Sequence, residues 1–190
     1  MLPPGVAVTE SPRAPMRIDR WLVAAWTLVV AGGVLLFARA DALPEEIPVY
    51  RSLTGEALKS APRSTLIVLR IALMGVGQLG AITAMMWQSR ANSREQWTTF
   101  WQFAALAAGA KTLLECVQFS LLGVEGSEAM QLPLTILTFA PVVAFLLYAV
   151  RVWRSLPMDR FGPLSATEQV LLASSLALWF GCAIMPLWLG

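Results

Sequence analysis

Apolar residues along this chain fall in long unbroken blocks separated by short polar connections. Crossing a membrane takes about 20 mostly apolar residues. Five blocks meet that need, at about 21–38, 65–87, 99–122, 132–150 and 169–189. The first, fourth and fifth hold no charge, the second carries Arg70 near its start, and the third carries Lys111 and Glu115. Within each block the apolar residues are continuous rather than alternating. That pattern belongs to helices, which satisfy their own backbone in hydrocarbon, and not to barrel strands. The pattern predicts an all-α fold, an integral membrane bundle of five transmembrane helices over residues 21–190. Residues 1–20, with Pro3, Pro4, Pro12 and Pro15, read as a flexible cytoplasmic tail.

The basic residues orient the bundle. Arg13, Arg17, Arg20, Arg90, Arg94, Arg151, Arg154 and Arg160 fall on one side, against Arg39, Arg51, Lys59 and Arg63 on the other. Lys and Arg concentrate in cytoplasmic loops, so the N-terminus is expected inside and the C-terminus outside. Trp21, Trp87, Trp97, Trp101 and Trp153 then lie at the inner boundary, where tryptophan is favoured. A rival reading of the first block is a signal peptide cleaved near Ala38-Arg39-Ala40. Its uncharged run is longer than the usual apolar region of about 7–15 residues.

Composition narrows the chemistry. The chain is 57% hydrophobic and 14% charged, with a mean hydropathy of +0.63. Soluble domains run near 45–50% and 25%. A net charge of +2 gives no field for nucleic acid, and the expected partners are the lipid bilayer and a protein partner or second copy. The absence of histidine removes histidine metal sites and Ser-His-Asp and Cys-His catalysis. Cys116 and Cys182 form no CxxC pair and read as small buried hydrophobes. No catalytic, cofactor or metal residues are assigned.

The outer loop, 39–64, is dense in special residues. Leu43-Pro-Glu-Glu-Ile-Pro48 sets two prolines around an acidic pair and favours a stiff extended segment. Gly55 reads as a turn, and Ser64 or Thr65 as the cap of the next helix. Leu43, Pro44, Ile47, Pro48, Gly55 and Lys59 fit a pattern LP-x-x-IP, then G, then K, between two membrane helices. In this the segment Trp21–Gly75 resembles the N-terminal domain of unknown function of the bacterial sporulation-delaying-toxin immunity family. Tyr50 and Arg51 stand where that family usually has His and Phe. The resemblance implies a multi-pass protein of the bacterial inner membrane, sometimes conferring toxin immunity, and no enzyme. It makes Leu43, Pro44, Glu45, Glu46, Ile47, Pro48, Tyr50, Arg51, Gly55 and Lys59 the candidate recognition residues.

The second candidate site is intramembrane. Lys111 and Glu115, at i and i+4, share a helix face and neutralise each other. Arg70 and Gln78 on the antiparallel second helix reach similar depths. A polar ladder follows, with Arg70 to Glu115, Gln78 to Lys111, and Gln118 extending it outward. Arg70 has an alternative, since it can snorkel to the outer headgroups. The ladder reads as a structural network, as an ion or ligand path, or as a contact with another subunit. Gly75-Val-Gly-Gln-Leu-Gly80 matches G-x-G-x-x-G literally but sits inside a membrane helix. It reads as close packing of Gly77, Ala81 and Ala84 against Ala104, Ala107, Ala108 and Ala110. Pro141 predicts a kink, and Ser165-Ala-Thr-Glu168 a capping box opening the fifth helix.

The function expected is non-enzymatic, immunity- or signalling-like through the outer loop. The alternative is a small transporter or channel subunit using the polar core. A lipid-acting enzyme is the third reading, with only Lys, Glu, Arg and water as catalytic groups.

Overall fold

The structure, a computed structural model, describes residues 19–51, 57–68, 75–92, 94–122, 124, 126, 128–155, 164–175 and 177. It is predominantly helical, as the apolar blocks predict. The helices are α1 (Arg20–Ala38), α2 (Arg63–Val68), α3 (Gln78–Ala91), α4 (Glu95–Ser120), α5 (Glu128–Ser155) and α6 (166–175). Residues 75–77 are π-helical and run straight into α3. The expected tail, Arg70, Gly55 and Cys182 lie outside the described residues, as does the fifth block beyond 177.

Helix α4 is central, and α1, α3 and α5 each pack chiefly against it. Cross-helix contacts fix the directions. Asp19 meets Gln102, Ala25 meets Gly109 and Gly32 meets Cys116, so α1 runs parallel to α4. Trp26 Nε1 donates to Thr83 Oγ1 at 3.2 Å and Arg90 pairs with Asp19, so α3 runs antiparallel to α1. Gln118 meets Thr135 and Phe103 stacks on Tyr148, so α5 runs antiparallel to α4.

Small residues make the α1–α4 contact possible. A β-carbon on Gly109 would lie 2.7 Å from the carbonyl oxygen of Ala25, and one on Gly32 would lie 3.2 Å from the Cβ and Sγ of Cys116. Backbone therefore packs on backbone, the packing that small residues permit between membrane helices. The alanine face of α4 is shared between α3, as expected, and α1. Ala104, Ala105 and Ala108 are buried in one cluster with Ala25, Val29 and the α3 residues Leu79, Ile82, Met85 and Met86.

Among the described residues two helices are long and apolar enough to cross a membrane, Arg20–Ala38 and the Ala129–Arg154 stretch of α5, where five were expected over the whole chain. The reason is positional. Helix α4 is continuous from Glu95 to Ser120, but as the central helix it spends its face on polar and small residues that meet other helices. Lys111, Thr112 and Ser120 are buried against protein. Of the second block, Arg63–Val68 and residues 75–91 are helical, and residues 69–74 lie outside the described residues.

The outer loop opens with a 3-10 turn at Ala40–Ala42 and then forms paired strands. Glu46–Arg51 (β1) and Ala57–Pro62 (β2) pair antiparallel, with Ile47 opposite Ala61 and Pro48 opposite Ser60. Helix α2 starts at Arg63, ahead of the expected Ser64 or Thr65 cap. The Arg63 N–H donates to the Glu45 carbonyl at 2.8 Å and Arg63 Nη1 to the Leu43 carbonyl at 3.0 Å. The hairpin thus closes directly onto the helix. Beneath it Leu43, Ile47, Leu66, Ile67, Leu36 and Cys116 form a second buried cluster. Cys116 is a buried small hydrophobe, as expected.

Two glycines make opposite predictions. Gly109→Ala forces a methyl against the Ala25 backbone and should destabilise the protein by about 1–3 kcal/mol through overpacking. Gly80→Ala meets open space in the first turn of α3 and should stabilise it by up to about 1 kcal/mol. Thermal melting of both variants in mild detergent checks the pair; equal shifts would mean that the α1–α4 contact is loose.

Candidate functional site

Polar side chains gather at three levels of the bundle. The richest level lies where α1 begins, α3 ends, and α4 and α6 begin. Asp19 precedes the first apolar block in sequence and caps α1, its Oδ1 accepting from the N–H of Trp21 at 2.9 Å and of Leu22 at 3.3 Å. Its Oδ2 accepts from Gln102 Nε2 at 2.6 Å and from Arg90. One carboxylate thus ties three helices, α1, α3 and α4.

Glu168 forms a second clasp. Its Oε2 accepts from the Ser165 N–H at 2.8 Å, and its own N–H donates to Ser165 Oγ at 3.3 Å, which is the expected capping box. The same carboxylate also receives Arg94 Nη1 at 3.1 Å and Ser89 Oγ at 3.3 Å. Both Glu168 and Ser89 are fully buried. The clasp therefore docks α6 onto the α3–α4 turn.

Burial alone pushes both carboxyls up in pKa. For Asp19 the hydrogen bonds from Gln102, Trp21 and Leu22, then the Arg90 charge, outweigh it. For Glu168 the backbone and side chain of Ser165, then Arg94 and Ser89, do the same. Both groups are held below their ordinary values and stay ionised.

At the middle level Lys111 pairs with Glu115 along α4, as the i, i+4 spacing predicts. Lys111 is buried and Glu115 nearly so. Of the rest of the expected ladder, Arg70 lies outside the described residues. Gln118, expected to extend the ladder outward, donates from Nε2 to Thr135 Oγ1 of α5 at 2.7 Å and so joins α4 to α5. Gln78 is half-buried in the first turn of α3.

At the outer level the candidate recognition residues divide. Leu43 and Ile47 are 4% and 1% exposed and anchor the hairpin to the bundle. Pro44, Glu45 and Glu46 are exposed, and Ser60 Oγ donates to Glu46 Oε2 at 2.9 Å. Pro48, Tyr50, Arg51 and Lys59 lie in the paired strands. Among the described residues no three acidic or cysteine side chains converge as a metal site.

Sequence reasoning counted Arg90 and Arg94 only as topology signals and did not single out Asp19, Ser89 or Gln102. A local signal existed for Asp19, an acidic residue immediately before an apolar helix. Its partners lie far along the chain and carry no such signal. No family model, no curated protein and no solved structure matches this chain.

The clasps predict acid sensitivity with a definite sign. A carboxyl whose pKa is lowered by folding stabilises the protein above its unfolded value, and that contribution is lost as pH falls through the folded one. Stability should fall as pH drops from the ordinary values of 3.8 and 4.5 downward. Asp19→Asn and Glu168→Gln keep the helix caps and remove the charge. Each should cost about 2 kcal/mol at neutral pH, less than the 3–5 of a fully buried pair because both arginines are partly exposed. The double variant should show a flattened acid limb when melting is followed against pH; an unchanged limb would mean that other groups set it.

Proposed function

We propose that this chain is a non-enzymatic multi-pass protein of a bacterial inner membrane that acts through the hairpin cap at its outer end. All five apolar blocks cross the bilayer in this reading, with the N-terminus inside and the C-terminus outside. The observation that carries it is α5. Within its Ala129–Arg154 stretch an 18-residue window has a mean hydropathy of 2.1, yet only 6% of that window is buried. Leu132, Ile136, Phe139, Val143 and Leu147 all face outward. Soluble monomers rarely expose contiguous apolar patches beyond a few hundred Å². Lipid removes that penalty. The helix directions support the count, because α1, α3, α4 and α5 alternate as successive spans must.

The cap is the surface best built for a partner. Pro44, Glu45 and Glu46 form an exposed acidic ridge on a backbone fixed by Arg63. A fixed backbone lowers the ordering cost of binding. The ridge fits the immunity- or signalling-like role that the loop pattern implies, toward a basic extracytoplasmic partner. The second reading, a small transporter or channel subunit, is favoured by Lys111–Glu115, an ion pair inside a helix.

Topology is checked first. A reporter active only in the cytoplasm should give signal when fused to Met1 and none when fused to Gly190. Signal at Gly190 would break the five-span count.

Two variants separate the roles, scored by the cellular phenotype of deletion and its rescue. Glu45→Gln with Glu46→Gln should accumulate normally and fail to rescue. Glu115→Gln with Lys111→Met should be less disruptive to folding than Glu115→Gln alone, which strands a buried charge, and should rescue. The reverse pattern of rescue would favour transport.

A further inference from the structure

We propose that the inner rim of the bundle is a binding surface for anionic phospholipid, formed because Asp19 and Glu168 at that end are turned inward. This rests on the membrane reading above. At the level of the two clasps, the ends of α1, α3 and α5 bring three tryptophans to the surface. Trp21, Trp87 and Trp153 are 45%, 54% and 63% exposed. Trp97 and Trp101, expected in the same belt, instead stack on each other, and Trp101 is buried in the core. The exposed three sit on three different helices at one end, which marks a headgroup plane.

The charges at this plane are segregated. Asp19 and Glu168 are buried in their clasps. Glu95 is the one exposed acid at this end among the described residues. Arg20, Arg151 and Arg154 are exposed, and no ion pair among the described residues involves them. The Arg20 guanidinium lies 5.5 Å from the Trp21 ring centroid, which holds it beside the indole at headgroup depth. Arg90 and Arg94, though paired, keep 37% and 27% of their side-chain surface exposed. A rim of arginine and tryptophan with Asp19 and Glu168 withdrawn is complementary to phosphate in an anionic bilayer surface. Guanidinium forks suit phosphate oxygens bidentately, while the indoles occupy the boundary with the acyl chains.

Each basic residue close to an anionic membrane surface strengthens binding by about fivefold. The surface should therefore discriminate between lipids by headgroup charge and not by acyl chain.

The test uses the whole chain reconstituted into lipid nanodiscs of phosphatidylcholine alone or of phosphatidylcholine with phosphatidylglycerol. Phosphatidylglycerol should raise the thermal midpoint, and the rise should shrink in high salt. The triple variant Arg20→Gln, Arg151→Gln, Arg154→Gln should keep its midpoint in phosphatidylcholine and lose the rise. A rise that survives in the triple variant would overturn the proposal, as would equal midpoints of the unaltered chain in both discs. Inorganic phosphate, matched for ionic strength against chloride, should produce no rise; a rise with phosphate would make this a free-anion site and overturn the lipid assignment. Recovery of the chain in discs is scored separately. A chain that never enters a bilayer refutes the membrane reading, whereas one that enters without lipid preference refutes only the rim.

Discussion

Everything in this bundle is arranged around the backbone contact between α1 and α4. At Gly109 the helices approach until no side chain fits between them, and at Gly32 the gap admits only the edge of Cys116. Such closeness fixes the parallel alignment of the two helices, and with it the level at which every other group meets. Asp19 reaches Gln102 and Leu36 reaches Cys116 because the same offset holds along the whole contact. Sliding α1 by one turn, about 5.4 Å, would break the clasp at one end and empty the buried cluster at the other.

The division of labour among helices follows from position. Helix α4 touches three neighbours and can hold Lys111, Glu115 and Gln118 because each meets protein. Helix α5 touches chiefly α4 and presents Leu, Ile, Val and Phe outward. Hydropathy alone ranks α5 as the more obvious membrane element, although α4 organises the bundle. Buried polar pairs are weak sources of net stability but constrain which partners fit. The clasps and the Gln118–Thr135 bond act in that way, each selecting one neighbour for one helix end.

Much of this was legible in the sequence. The helical character, the Lys111–Glu115 pair, the Ser165–Glu168 capping box and the burial of Cys116 follow from local spacing. Those are short-range features, and short-range physics sets them. The hairpin was half legible: Leu43–Pro48 reads as extended, but its pairing with Ala57–Pro62 depends on Leu43 and Ile47 finding an apolar floor supplied by α1, α2 and α4. The same burial removes those two residues from the exposed face that the loop pattern assigned them. The clasps were not legible, since Arg90 and Arg94 look like ordinary loop charges until the turn between α3 and α4 brings them beside carboxylates from distant segments. The five-block count assigned helices by apolarity alone. It did not anticipate that the third block would be a central, partly polar helix.

The clasps impose an order on assembly. Asp19 is separated from Arg90 by 71 residues and from Gln102 by 83, and Ser89 from Glu168 by 79. As the chain emerges from the ribosome, α1 is complete long before its carboxylate has a cation to meet. The α3–α4 turn must then wait again for α6 before Ser89 and Arg94 are engaged. Chain synthesis runs at about 5–20 residues per second, so each interval lasts several seconds. During that time the growing protein carries an acid and then a base without their eventual partners. The bundle is thus latched twice in sequence, first by its beginning and then by one of its last segments, and release of the newborn chain before α6 would leave the second latch open.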